Sequence, residues 1–327
     1  MEDNIRWGIL GLGNIARSFA KDLALVSKAS LKAVASRNME KARTFAMENK
    51  ASYAFGSYEE LLHCTEVDII YIAVPHTLHA YWSIRAMEEG KHVLCEKPMG
   101  INRAEVKKMI ATAQRNRVFL MEALWSRFNP SIRKVKQLVD DGEIGTIGYL
   151  HADFAFYALD RPEEGRLLNP DLAGGSLLDI GIYPIFLAYL ILGKPKNIRA
   201  SSHFYRTGVE IATAVVFEYP KAHALLFSAF TTGSEMKAEI SGNKGSLFLH
   251  PRWHQAQGYT LEQNGNIKNR ELPTSGKGYT HEIKEAHQCL ISDHLQSELW
   301  SHQNSLDLIE LLDRVRHLSG IVFPMEG

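Results

Sequence analysis

Lys97 stands between Glu96 and Pro98 in LCEKPMG, residues 94–100, at the end of an apolar run that reads as a buried β-strand. Proline fixes φ and lacks an N–H, so the strand ends there, Lys97 is held extended, and a cation is presented at a strand tip. A second stretch, GGSLLDIGIYPIF at 174–186, spaces Asp179 and Tyr183 four apart, which on a helix places them on one face, one turn from each other. A carboxylate and a phenol so placed can form an acid–base pair. The same letters also read as a capping box, Ser176-x-x-Asp179, with the acid serving the first turn. Pro184 removes a hydrogen bond inside that helix, so a kink is expected.

Phosphate chemistry is suggested earlier in the chain. GLGNIA, Gly11 to Ala16, follows the first strand and matches G-x-G-x-x-G/A. Gly11 permits the tight turn, Gly13 lets backbone approach a pyrophosphate, and the helix opening at Asn14 and Ile15 aims its amides at that anion. In a strand–turn–helix setting this predicts a dinucleotide site. At the end of the second strand, where an acid would bind the ribose of NAD, the sequence reads ASRNMEK. Ser36, Arg37 and Lys41 suit a 2′-phosphate, so NADP is favoured and NAD stays possible; the alternative is that Arg37 is a solvated loop residue. The third strand ends in AVPHTLH, with Val74 and His76 flanking Pro75 at the edge where such sheets bind ligands, and His79 three residues on. A His pair could suggest a metal, but no carboxylate or cysteine completes a set nearby, so coenzyme contact or supporting packing is expected.

These residues need a scaffold. Between Ile5 and Leu124, short apolar runs (IRWGIL, LKAVAS, VDIIYIAV, HVLCE, VFLMEAL) alternate with segments of helical period, implying βαβ units and a doubly wound parallel sheet. After Asn129-Pro130 the chain changes character. IGYLHADFAFYA alternates, with Leu150, Ala152, Phe154 and Phe156 on one face and Tyr149, His151, Asp153 and Tyr157 on the other. Later runs, with turn residues between them, predict a large, mostly antiparallel open sheet in an α+β domain. Several are apolar on both faces, which suggests a second subunit on one of them. SLDLIELLDRVRHLSG reads as a closing amphipathic helix with Ser305 as its cap and Gly320 beyond its end. The expected domains are 1–124 and 125–327.

The bulk numbers restrict partners. A chain of 327 residues with 37 Lys plus Arg against 37 Asp plus Glu, and no long basic run, argues against nucleic acid or an anionic membrane and for a small molecule. Cys64, Cys95 and Cys289 are far apart and in no C-x-x-C spacing, which fits a reducing cytoplasm rather than a disulfide framework or a zinc ribbon. The opening MEDNIRWGILGLG has no signal-peptide pattern, and no run of about 20 apolar residues is expected to span a membrane. HEIKEAH, 281–287, spaces its histidines six apart, on different helix faces, unlike an H-E-x-x-H zinc site.

GLGNIA after the first strand, CEKP at 95–98 and GGSLLDIGIY at 174–183 together resemble the glucose–fructose oxidoreductase, inositol dehydrogenase and rhizopine catabolism (GFO/IDH/MocA) family of NAD(P)-dependent oxidoreductases, over nearly the whole chain. Many members carry His where this sequence has Tyr183. That departure, with SRN after strand two and FLMEALWSRF at 119–128, is similar to the branch of dimeric dihydrodiol dehydrogenases, which also act as NADP-linked D-xylose dehydrogenases.

The resemblance implies Lys97 as the cation that orients the reacting oxygen, Tyr183 as proton donor or acceptor, and Asp179 as the residue that positions the pair. It also implies a homodimer through the second sheet. A nearby ammonium would favour the phenolate of a tyrosine, whose free pKa of about 10 is too high for a good base. Glu96 and Arg127 are further coenzyme candidates. Trp125, Phe154, Trp253 and Tyr279 are candidate pocket walls, although each could instead be a core aromatic. The expected reaction is hydride transfer between NADP(H) and a sugar, polyol or cyclic trans-diol. Two rivals stand: a regulator that senses NADP(H) without turnover, and an NAD-dependent inositol-like polyol dehydrogenase.

Overall fold

The apolar runs of the first half form strands because burial on both faces leaves only backbone pairing to satisfy their polar groups. In the computed structural model, which describes residues 4–326, they are β1 (Ile5–Leu10), β2 (Ala29–Ala35), β3 (Tyr53–Phe55), β4 (Ile69–Ile72), β5 (His92–Glu96) and β6 (Leu120–Ala123). The sheet order is β3-β2-β1-β4-β5-β6, with every neighbouring pair parallel. Strand order reverses between β1 and β4, and ligands of such sheets bind outside the C-terminal ends at that point. Helices α1 (Asn14–Leu23), α2 (Met39–Asn49), α3 (Tyr58–Leu62), α4 (His79–Glu88) and α5 (Arg103–Asn116) make the crossovers. The short β3 and α3 were not expected from the pattern: a strand of three residues with Tyr53 exposed has no periodicity to show.

The boundary expected after Leu124 needs correcting. One unit is Met1–Phe128 with Ser275–Leu306, and the other is Asn129–Thr274 with Asp307–Gly327. Residues 275–306 return to the first unit because that unit holds buried polar groups whose partners they supply. Asp22 takes the amides of Lys277, Gly278 and Tyr279 at 2.9, 3.0 and 2.9 Å. Glu122 accepts from Trp300 Nε1 at 3.1 Å and Ser305 Oγ at 2.6 Å. Trp7 Nε1 donates to His287 Nε2 at 3.0 Å from helix α8 (Thr280–Ile291). Helix α9 (His302–Ser319) starts upstream of Ser305, so that serine is not its cap; its hydroxyl is spent on Glu122. Gly320, at φ 71°, follows the helix as expected.

The second unit opens with α6 (Pro130–Asp140), capped by Asn129 Oδ1, which accepts from the amides of Ser131 and Ile132. Its sheet contains β7 (Ile147–Ala155), β8 (Asn197–Phe204), β9 (Glu210–Glu218), β10 (His223–Ala229), β11 (Ala238–Gly242), β12 (Gly245–Leu249), β13 (Gly258–Gln263) and β14 (Asn266–Glu271). The order is β14-β13-β12-β11-β7-β10-β9-β8, antiparallel except where β7 and β10 run parallel. Helix α7 (Ile182–Leu192) lies on one face of this sheet, preceded by a π-helical turn at Leu177–Gly181. The π turn explains how Pro184 is accommodated. Its ring would meet the carbonyl four residues back in a regular helix, and a widened turn opens that space.

Residues Pro170–Leu192 hold a window of mean hydropathy 1.8, long and apolar enough by length and composition to cross a membrane, contrary to the expectation that no such run exists. In the structure 78% of that window is buried, and α7 forms core of the second unit.

The Trp7–His287 contact carries a pH signature. Burial lowers the His287 pKa from 6.5 to about 4, and its Nε2 must stay unprotonated to accept from Trp7. The unfolded chain therefore binds the proton first, so this contribution is complete above pH 6.5 and is lost as pH falls toward 4. Denaturant titrations should show wild type losing on the order of 2 kcal/mol more over that interval than His287→Gln, which keeps an acceptor but does not titrate. Equal losses would sink the assignment.

Candidate functional site

In the first unit the nucleotide turn is built as the glycines demand. Gly11 has φ 93°, and a Cβ there would stand 2.6 Å from the Ala73 carbonyl oxygen. Only glycine permits this left-handed turn against the end of β4. Gly13 is the N-cap of α1, extended, with no side-chain cap on the helix, and a Cβ built on it would meet nothing within 4 Å. The amides at Asn14 and Ile15 thus open the helix next to space that an anion can fill.

At the tip of β2, Ser36 is buried and its Oγ accepts from the Asn38 amide at 3.2 Å, while Asn38 Oδ1 caps α2 through the Lys41 amide at 3.0 Å. Arg37 and Lys41 are exposed beside this turn. Arg37 hydrogen-bonds Tyr58, whose phenol is nevertheless pushed above the usual tyrosine range by burial. Glu40, in the first turn of α2, is engaged by Arg43 at 3.1 Å. An open helix terminus and two exposed cations fit a dinucleotide with a 2′-phosphate.

Val74 is buried just beyond the end of β4, and His76 is half-buried. The His79 ring lies 5.6 Å from that of His76 but is itself buried, with Nδ1 2.7 Å from Pro98 O and Nε2 2.9 Å from Val74 O. Two carbonyls would favour an imidazolium, yet burial is the larger effect and lowers the pKa to about 4. The neutral ring donates to one carbonyl and holds two strand tips together, the supporting role of the two expected. Among the described residues, no group of His, Cys, Asp or Glu is arranged to hold a metal ion.

Glu96 is also turned inward. Its carboxylate accepts from the Tyr71 hydroxyl and, at 3.2 Å, from the Lys97 amide. These bonds tie it to Tyr71 and to the backbone of the lysine beside it. Lys97 itself is half-buried at the tip of β5, before a cis peptide to Pro98. Arg127 Nε donates to Leu299 O at 2.8 Å, which ties it to the returning segment. Trp125 stacks on Tyr279 with ring centroids 4.9 Å apart.

In the second unit, Asp179 lies in the π turn and Tyr183 in the first turn of α7. Asp179 is buried and pairs with Arg166 Nη1 at 2.8 Å, an ion pair with no counterpart in the sequence reading. The capping-box alternative fails here: Ser176 makes no cap bond, and its hydroxyl instead donates to Glu210 at 2.9 Å. Tyr183 lies within an aromatic cluster, 5.4 Å from the Phe154 ring and 5.5 Å from His254, which stacks on Phe154 at 4.2 Å. His254 was missed, because one ring in a three-residue 3-10 turn carries no spacing signal. Trp253 is corrected as a wall: it is fully buried, and its Nε1 is spent on Asp153 O at 2.8 Å.

A Rossmann sheet with this cradle, and a second unit carrying Asp179 and Tyr183, define an NAD(P)-dependent oxidoreductase. Residues 5–124 match the oxidoreductase family with NAD-binding Rossmann fold, and 132–248 match the GFO/IDH/MocA C-terminal domain. The chain belongs to the GFO/IDH/MocA family. It is 34% identical to trans-1,2-dihydrobenzene-1,2-diol dehydrogenase of Mus musculus over 98% of this chain and 99% of that one, and 32% identical to the Homo sapiens protein over the same shares. Among solved structures, a 3-ketoreductase from Actinomadura kijaniata in complex with NADP and TDP-benzene superposes with a TM-score of 0.88 at 28% identity, covering 97% of this chain and 98% of that one. An aldose–aldose oxidoreductase from Caulobacter crescentus complexed with glycerol gives 0.88 at 26% identity, with the same shares.

The space at Gly13 yields a discriminating test. Gly13→Val should leave the melting temperature within about 2 °C of wild type, because nothing in the fold occupies that space, yet weaken NADPH binding about tenfold or more by fluorescence titration. Unchanged affinity would mean that the space does not receive the phosphates.

Proposed function

We propose that the protein moves a hydride between NADP(H) and a hydroxyl-bearing carbon of a sugar, polyol or cyclic trans-diol, D-xylose and dihydrodiols being the first candidates. The observation that carries the reading is Tyr183 set among ring faces: a titratable hydroxyl beside Phe154 and His254 suits a substrate that offers both a ring and an alcohol. The names of the relatives point to the same substrate chemistry.

When bound, the nicotinamide supplies the hydride for carbonyl reduction and takes it up in alcohol oxidation. Arg37 and Lys41 hold the 2′-phosphate, and the first amides of α1 hold the pyrophosphate. Lys97 steadies the oxygen that carries negative charge as the carbon changes hybridisation. Tyr183 takes the hydroxyl proton in oxidation and returns it in reduction. Asp179, paired with Arg166, is a charged carboxylate that fixes the turn bearing Tyr183. The free cysteines support residence in a reducing cytoplasm.

Tyr183→Phe keeps the ring and removes the proton carrier. It should lower kcat by about 10²–10⁴-fold while NADPH affinity stays within about threefold; retained turnover would remove Tyr183 from the chemistry. Arg37→Ala should erode the preference for NADP over NAD by about tenfold or more, measured as the ratio of kcat/KM values. An unchanged ratio would return Arg37 to the solvated loop.

We further propose a homodimer through the face of the second sheet opposite α7. That face has grooves of about 770 and 490 Å³, lined among others by His151, Leu225, Phe227 and Phe248, and Leu225 is 40% exposed. Leu225→Glu should shift the mass in light scattering from dimer to monomer; a wild-type monomer would contradict the proposal.

A further inference from the structure

Glu210, the first residue of β9, is 2% exposed and belongs to none of the roles above. Its Oε1 gathers donors from three directions: the Leu177 amide, the Ser176 hydroxyl at 2.9 Å and the Thr213 hydroxyl at 3.3 Å. The Ser228 hydroxyl lies 3.0 Å from Ser176 Oγ. Since the Ser176 proton goes to Glu210, Ser228 donates to Ser176, and the chain of hydrogen bonds runs from β10 through Ser176 to the carboxyl group. Gly175 makes this possible. It has φ 124°, and a Cβ there would collide with Glu210 Oε2. Six residues on, a Cβ on Gly181 would stand 2.8 Å from Ser228 Oγ, so the π turn is pressed on the same strands.

We infer that Glu210 is a positioning residue for the reaction: by accepting the first amide of the π turn, it sets the depth and rotation of the Leu177–Tyr183 segment on the sheet, and so the placing of Asp179 and Tyr183. The inference rests on the assignment of Tyr183 to proton transfer. Glu210 touches neither substrate nor coenzyme in this role and acts through the backbone of Leu177. Burial raises its pKa to about 8 against the pull of these donors. The role survives either protonation state, because Oε1 accepts as a carboxylate oxygen or as the carbonyl oxygen of an acid whose proton sits on Oε2.

The test compares Glu210→Leu, which removes the acceptor, with Glu210→Gln, which keeps an oxygen at Oε1, and with Gly175→Ala, which displaces the carboxyl group without altering it. The Leu and Ala variants should lose kcat by about tenfold to a hundredfold, as expected for small misplacements of a reacting group, with KM and NADPH affinity nearly unchanged. The Gln variant should stay within about threefold of wild type. Hydrogen exchange should accelerate at the amides of residues 177–183 in the Leu and Ala variants and not in the Gln variant. Should Glu210→Leu fail to fold, Ser176→Ala, which removes one donor and breaks the link to Ser228, takes its place with a smaller loss of kcat. A folded Leu variant with wild-type kcat, or a Gln variant as impaired as the Leu variant, would overturn the inference. Tyr183→Phe is measured alongside: if it retains turnover, the proton-transfer assignment fails, and hydrogen exchange still reports whether Glu210 holds the segment.

Discussion

A carboxylate removed from water has to be supplied with N–H and O–H donors, and this fold meets that demand by tying distant pieces of chain to a few buried acids. Asp22, at the end of α1, collects the amides of Lys277, Gly278 and Tyr279. Glu122, in β6, joins Met99, Trp300 and Ser305. Glu96 receives Tyr71 and the amide of the lysine beside it, and Glu210 receives the start of the π turn. In each case a strand or helix end holds a segment that would otherwise be an irregular loop, and two of those segments carry Lys97 and Tyr183. Glu282 marks the opposite limit: it is fully buried with neither oxygen hydrogen-bonded, and burial pushes its carboxyl well above the usual range.

This arrangement divides the work between regular and irregular structure. The parallel sheet is assembled from apolar runs and brings β1, β4 and β5 to a common edge, where Gly11 and Lys97 stand at strand tips and His79 opens α4. The second sheet provides a broad wall on which one apolar helix lies. The residues proposed for chemistry stand where regularity breaks, at the glycine turn, at the strand end before Pro98 and at the π turn before Pro184. The wider turn carries Asp179 and delivers Tyr183 at the start of a buried helix, beside Phe154 and His254. Such departures are tolerated where neighbouring groups over-determine them.

Features with a local cause were legible in the sequence. GLGNIA after an apolar run, the Lys97–Pro98 strand end and the Asp179/Tyr183 spacing are properties of adjacent residues, and the period of the first half implied the sheet that carries them. What escaped reading depends on partners far along the chain. Trp7 meets His287 and Asp22 meets Tyr279, so the return of residues 275–306 leaves no trace in local pattern. Ser176 looks like a cap until Glu210 competes for its hydroxyl. The edge strand β14, NIKNRE, is exposed throughout and has no apolar alternation to reveal it, and β12 and β13 were overlooked with it.

The central claim is that these held segments serve hydride transfer with NADP(H) on a ring- or chain-bearing alcohol. The most direct measurement is the appearance of reduced-nicotinamide absorbance with NADP⁺, and then NAD⁺, against a panel of aldoses, inositols and cyclic trans-diols. The account predicts turnover with NADP⁺ on an aldose or trans-diol and a weaker response with NAD⁺. Silence across the panel in both directions, from protein that binds NADPH tightly, would contradict it and favour a coenzyme-sensing role.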